Sequence, residues 1–579
     1  MTESQPDPRR PVRIANCSGF FGDRLSAANE MVEGGDIDVL TGDWLAELTM
    51  FILHKQRSRN AELGYARTFL LQMEQVLGTC IERGIKVVTN AGGLNPSGCA
   101  DKVREIASRL GITASVAHLE GDDLMDRVDG LRAQMAHLDT GAPLVAEAIT
   151  ANAYLGGWGI AAALRNGADV VVCPRVTDAA LVVGPAAWWH GWALDDWDRL
   201  AGAVVAGHIV ECGTQATGGN YTWFDEIPDL SKPLGFPIAE VAADGSSVIT
   251  KHEGTGGVVS VGTVTAQLLY EIGTLNYANP DVVTRFDTIT LAQQDPNRVQ
   301  VSGVRGLPAP PTAKVCINLD GGYRNRMTFA LTGQHQKQKA EWLETVLFNR
   351  LGGKERFEEV AVRLVEAPSD APTQEQASGR LHITVKSHDE RLVGRTFSSA
   401  AIEMALANYP GFFVTSAPAD AESFGVYWPA LVDAAEVAEV VVMPDGTRVP
   451  VAAPPRTHVV SPATQTDEVR AKAVGPAAGE TLGTYFAARS GDKGGNANVG
   501  IWARDDAGYA WLRDNLSTAT VRRLLPEASE LEVRRVELPN LHALNFVIVG
   551  LLGEGVASNT AFDPQAKGLG EYLLSRVWR

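Results

Sequence analysis

Six short apolar runs, each closing on Gly, Asn, Asp or Thr, recur through the first part of the chain: VRIANCSG from Val12, IDVLTGD from Ile37, IKVVTNAGG from Ile85, ITASVAHLEGD from Ile112, LVAEAITAN from Leu144 and DVVVCPRVTD from Asp169. Uninterrupted runs of this length suit strands buried on both faces, the condition of a parallel sheet. Between them lie helical patterns such as Tyr65–Arg83, whose apolar residues recur three or four apart. A repeated strand-then-helix order demands right-handed crossovers and a layered α/β architecture. Residues 12 to about 210 are therefore expected to form a mostly parallel open sheet flanked by helices, with all carboxyl ends along one edge.

The chain's 579 residues exceed what a single hydrophobic core holds. IAEVAADGSSVITKH, from Ile238, reads as a hairpin about Asp244-Gly245, and Val258–Ile272 as a helix. Strand-like sequence follows from Thr288, and a further helix–strand alternation runs from Gln336 to about Val451. We read 12–451 as one α/β region of two lobes, 12–235 and 236–451. Residues 452–480, rich in Pro, Ala and Thr, read as a linker. Residues 481–579 have a ββαββα order, which predicts a small α+β domain with its helices on one face of a sheet.

A net charge of −18 and pI near 5.1 argue against nucleic acid and anionic membrane as partners. The six cysteines lie far apart without a CxxC pair, which fits a reducing, cytoplasmic setting and no disulfide or zinc framework. The N-terminus lacks the apolar stretch of a secretory signal. The most apolar stretch, Val170–Trp189, is broken by Arg175, Asp178 and two prolines, so no run reaches the roughly 18–20 residues of a membrane span. A small-molecule substrate remains the expected partner. The cluster Trp188, Trp189, Trp192 and Trp197 reads either as the contact of a homo-oligomer or as a buried core cluster.

Five polar, glycine-bearing loops are candidates for chemistry. In VVTNAGGLNPSGC a strand ends in Asn90, Gly92 and Gly93, and a helix opens after Asn95; glycines admit a ligand and a helix start offers N–H groups, or the loop is a plain turn and cap. Arg175, Thr177 and Asp178 directly follow a buried strand, either facing a ligand or capping the next helix. GHIVECGTQATGGNYTWF offers Glu211 as acid or base, Cys212 as nucleophile or as a small buried apolar residue, and Gln215, Gly218, Gly219 and Asn220 as an oxyanion or phosphate cradle. HEGTGGVV places Thr255 and Gly256 in another such turn, without a Walker ending. AARSGDKGGNANVG carries Asp492 and Lys493 in the small domain, facing a phosphate or carboxylate or else solvent. Asp23, Asp43, Asp178 and Asp492 all follow strand-like runs, but routine turn and cap roles suffice for them, and no metal is assigned.

With these loops in view the chain resembles the acyclic terpene utilization AtuA family, through Asn16-Cys17-Ser18-Gly19-Phe20, Thr41 to Glu47, Thr89 to Pro96, Arg175 to Asp178, Glu211 to Asn220 and Gly254 to Gly257. Its C-terminal part resembles the ferredoxin-like domain appended to many members, through Ser490 to Gly494, departing at Gly495 where a small polar residue is expected. The resemblance implies a role in breakdown of terpenoid or branched acyl-CoA compounds, acting on an acyl-CoA or related carboxylate. Glu211, Cys212 and Asp178 are then the candidate catalytic groups, and Asn16, Ser18 and the remaining loop residues the binding groups. No cofactor is required, CoA entering only as part of a substrate. The alternative is a non-catalytic binding or assembly subunit of an acyl-CoA pathway. On the first reading Arg175→Ala costs ligand affinity with little loss of fold stability.

Overall fold

The computed structural model describes residues 10–457 and 472–579. Its first eight strands are β1 (Val12–Asn16), β2 (Val39–Gly42), β3 (Lys86–Thr89), β4 (Val116–Glu120), β5 (Ala148–Ala153), β6 (Val170–Val172), β7 (Pro237–Val241) and β8 (Ser247–Lys251). Five of them, in the order β1-β2-β3-β6-β4, pair in parallel. Antiparallel strands extend this core on both sides. On one side lie β7, β8, Arg298–Ser302 and Thr290–Asp295; on the other, Val440–Val442 and Arg448–Pro450.

The eleven-stranded sheet is thus mixed as a whole: its strands from residues 12 to about 210 pair in parallel as expected, and those from Pro237 onward add antiparallel edges. The parallel runs were recognisable because they are buried on both faces. The antiparallel additions come from the later sequence, where a hairpin can join an edge without a crossover. The hairpin about Gly245, whose φ is +86°, is as expected. LVAEAITAN is also a strand, but β5 pairs with the strand Thr312–Thr332 rather than with the parallel set.

Strict alternation explains why the parallel strands are so apolar. Val12, Ile14, Val39, Val88 and Val171 point to one face, packing with the helices Trp158–Arg165, Ala180–His190 and Trp197–Val210. Ala15, Leu40, Val87, Val170 and Val172 point to the other, against the helices Ala27–Glu33, Arg67–Arg83 and Pro96–Leu110. Period two on a two-sided sheet leaves no solvent face for a polar residue. Polar groups therefore collect at strand ends. Trp192 is buried, and Trp188, Trp189 and Trp197 pack half-buried against the first of these cores.

The chain forms two compact units, and they cut it differently from the two lobes read in the sequence. Pairing, not chain order, sets compactness: the first unit gathers Met1–Asn318, Tyr427–Val556 and Asp563–Arg579, and so includes the small domain. That domain is a four-stranded antiparallel sheet, Ala487–Lys493, Asn496–Trp502, Ala543–Ile548 and Val533–Leu538 in spatial order, with helices including Asp506–Asn515, Thr518–Leu524 and Leu569–Leu574. Of the 452–480 linker, residues 458–471 lie outside the described residues. The second unit comprises Leu319–Val426 and Ala557–Phe562. Within it, Glu359–Val365 and Ser378–Ser387 pair antiparallel, and the latter also pairs with residues 323–332. Its own core includes Phe329, Leu343, Ile383 and Phe397, with the helix Gln336–Leu351. Among the described residues no helix is long and apolar enough to cross a membrane.

Candidate functional site at the parallel strand ends

The loops after β1, β2, β3 and β6 interlock by hydrogen bonds that leave few alternatives. Asn16 Oδ1 accepts from the Ser18 backbone N–H at 2.9 Å, turning the chain after β1. The Ser18 carbonyl then accepts from the Asp43 N–H at 2.9 Å. Asn90, fully buried, accepts from the Trp44 N–H at 2.7 Å and donates to Asp43 Oδ1 at 2.5 Å. Gly19 closes the arrangement from the other side: a Cβ there would lie 2.5 Å from the Cys212 carbonyl carbon. Only glycine lets the β1 loop meet the end of the helix Trp197–Val210 so closely.

Arg175 sits at the centre and is 2% exposed. Its guanidinium donates to Asp178 Oδ1 at 2.9 Å and to the Val176 carbonyl at 3.1 Å, and it stacks over Tyr154 at 4.2 Å. Its Nε is buried without a hydrogen-bond partner among the described residues, as is the Thr177 hydroxyl. Burial works against the Arg175 charge, but Asp178, Tyr154 and Glu47 more than restore it, so its pKa lies above the usual value. Glu47 accepts from the Tyr154 hydroxyl at 2.8 Å; burial opposes its charge, yet Lys314 and Arg175 bring it down to about 2.

Two further carboxyls shift the opposite way. Burial, reinforced by Asp178, pushes Asp43 well above the carboxylate range. Burial, then Asp178 and Glu271, does the same to Glu211, whose Oε2 has no hydrogen-bond partner among the described residues. Glu211 Oε1 lies 3.2 Å from His208 Nδ1 without hydrogen-bond alignment. Burial and the Lys493 charge bring His208 down to about 4, so its imidazole carries no charge at neutral pH and the contact is not an ion pair. Close carboxyls that cannot all ionise are the arrangement that separates an acid from a base.

Cys212 is partly exposed, but burial and then Glu211 and Glu271 push its thiol well above the usual range. That environment opposes a thiolate. Lys493 reaches the site from the small domain, donating to the Glu271 carbonyl and lying 5.5 Å from the Tyr277 ring. Asp492 is pushed up to about 7 by burial and then Glu271.

The remaining predicted residues make other contacts. Asn95 caps the helix Pro96–Leu110 by accepting from Gly98 N–H at 3.0 Å, and its amide donates to Glu62 and Leu63 carbonyls. Gly92 donates to the Cys173 carbonyl at 3.1 Å, while Gly93, at φ +53°, fits against Leu53. Thr255 bonds the His252 carbonyl at 2.7 Å, and Gly256 packs on Pro233. Gln215 accepts from Arg489, Gly218 and Gly219 pack on Ile227 and Thr214, and Asn220 is exposed. Tyr154, Lys314 and Glu271 carried no signal of their own in the sequence, whereas Glu47 ends the Thr41 to Glu47 stretch that carries the family resemblance, four residues after Asp43 at a helix start. Among the described residues no group of three or more His, Cys, Asp or Glu is placed to hold a metal ion.

An open α/β protein with a buried, charged site at its parallel strand ends is the class these features define. The chain belongs to the acyclic terpene utilisation family AtuA, whose family model matches residues 12–443. The AtuA ferredoxin-like domain matches residues 481–578. No curated protein matches the chain.

Proposed function

We propose that the protein is an enzyme of acyclic terpenoid or branched acyl-CoA breakdown, moving protons on an acyl-CoA or related carboxylate in a hydration or thioester-hydrolysis step. The family name supports the metabolic setting. The carrying observation is that the buried Glu211 and Asp43 lie beside the Arg175–Asp178 pair, where burial and the Asp178 charge raise both carboxyls well above their usual range. A buried carboxyl protonated at neutral pH is a proton donor, and a neighbouring carboxylate takes a proton from water. Arg175 and Lys493 would stabilise negative charge that develops on a thioester or carboxylate oxygen. Cys212 is assigned a packing role because its thiol is held protonated.

A thermal-shift screen of the full chain against branched acyl-CoAs and the free acids tests this reading. Ligand at a hundredfold excess over its Kd stabilises the native state by about 2.7 kcal/mol, a clear rise in Tm. Glu211→Gln is expected to keep the shift and lose turnover. No shift with any of these ligands sinks the proposal, and a shift without turnover in the parent moves the protein to the non-catalytic binding reading.

A further inference from the structure

A second buried arginine lies outside the strand-end site. Arg489, in the small domain, is 4% exposed. It donates to the Ser490 carbonyl at 3.1 Å and to Gln215 Oε1, and it stacks over Tyr270 at 4.1 Å. Both acceptors are neutral, and two of a guanidinium's five N–H groups are so engaged. Lys567 packs on the same ring at 4.5 Å and donates to the Tyr270 hydroxyl. Neither cation forms an ion pair among the described residues. In a chain of net charge −18, two neighbouring cations without a carboxylate partner stand out. A buried charge is normally paired.

Both cations line a cleft of about 290 Å³ formed with Asn220, Tyr221, Thr222 and Phe224. Ser490 fixes its floor: its hydroxyl donates to the Lys567 carbonyl at 3.2 Å and accepts from the Gly570 N–H at 2.8 Å. One carboxylate, Glu571, also lines the cleft, and it accepts from Thr222 at 2.8 Å. Asp492, the nearby acid on which the Lys567 charge acts, is held up near neutrality and offers little compensation there.

We propose that this cleft is a phosphate-binding subsite in which Arg489 and Lys567 hold the phosphorylated end of a ligand. Guanidinium and ammonium donors together suit a tetrahedral, multiply charged anion better than an apolar group. Arg489 links the cleft to the acid–base loops, since it bonds Gln215, four residues after Glu211, and stacks over Tyr270, the residue before Glu271. The inference deepens the acyl-CoA reading and rests on it only for which phosphate is bound: the nucleotide end of CoA, or a phosphate of another metabolite.

Isothermal titration of the full chain with inorganic phosphate, pyrophosphate and a nucleoside bisphosphate tests the subsite. Saturable binding of at least one, weakened about tenfold by Lys567→Met and strengthened by Glu571→Gln, is expected. Lys567→Met keeps the apolar stem on Tyr270, and circular dichroism checks its fold. No saturable binding to the folded parent, or equal Kd for the parent and Lys567→Met, overturns the proposal. Competition separates the two readings. Acyl-CoA binding by a parent that binds none of the phosphates removes the subsite and spares the acyl-CoA reading. Phosphate binding without acyl-CoA binding does the reverse.

Discussion

Arg175 at the parallel strand ends and Arg489 in the small domain are both almost wholly buried, and both stack on a tyrosine. Around Arg175 lie Asp178 and the charge of Glu47, so its region holds more acid than base, and the buried carboxyls of Asp43 and Glu211 are pushed well above their usual range. Around Arg489 the acceptors are a carbonyl and an amide oxygen. The first region balances its charge internally and has protons to exchange; the second leaves positive charge unbalanced. A buried cation is thus informative mainly through what surrounds it, and equal burial conceals opposite electrostatics.

The sharpest way to break this contrast is to remove each charge in turn. Arg175→Met leaves the half-buried Asp178 without its buried cation and should cost about 3 kcal/mol in denaturant unfolding. Its burial thus replaces the expectation that Arg175→Ala leaves the fold nearly unaffected. Arg489→Met gives up two hydrogen bonds to neutral partners and the guanidinium's stack on Tyr270, about 1–3 kcal/mol. Equal losses would mean that the two sites are electrostatically alike.

Titration sharpens the contrast at a smaller scale. A carboxyl whose folded pKa is raised stabilises the fold fully below its unfolded pKa, and that stability is lost as pH rises through the folded value. Asp492, raised from 3.8 to about 7, therefore makes the parent less stable from pH 4 towards 7. Asp492→Asn should flatten that window by at most about 1.4 kcal/mol per pH unit. Glu47 has the opposite sign: lowered from 4.5 to about 2, it stabilises above pH 4.5 and loses that contribution as pH falls through 2. Stability curves of parent and Asp492→Asn that coincide between pH 4 and 7 would show that the acid is solvated.

The smallest effect separates site from scaffold within one loop. Asn95→Ala removes a helix cap and should cost about 1 kcal/mol in thermal or chemical unfolding. A loss near zero would detach Asn95 from its capping role.

The parallel strands were legible because burial on both faces leaves an unbroken apolar run, and the β7–β8 hairpin because Asp244-Gly245 supplies the turn. Partner choice was not legible. LVAEAITAN reads like its neighbours, yet β5 pairs elsewhere, since an apolar run specifies burial and not the strand beside it. In the site, the junctions Asn90, Arg175 and Glu211 were visible as polar residues at the ends of apolar elements. Lys314, Glu271 and Arg489 were not, because only tertiary packing brings them near. Asn95, Thr255 and Gly256 share the same polar, glycine-rich vocabulary, but caps and tight turns use it as readily as ligand sites.

The Glu271–Ile272 turn bears on how such chains can be cut and joined. Glu271 adopts φ +59°, a conformation unfavourable for a side-chain-bearing residue. Its N–H is met by Asn498 Oδ1 at 2.8 Å, and the Ile272 carbonyl accepts from Asn498 at 3.2 Å and Asn545 at 3.0 Å. All three bonds come from the small domain. A protein truncated before residue 481 would lose the partners of that turn along with Lys493. The appended domain is therefore a fitted part rather than an interchangeable module: a domain swap between relatives would have to carry both asparagines opposite a matching turn, and a gene split at the linker would have to yield two halves that reassemble.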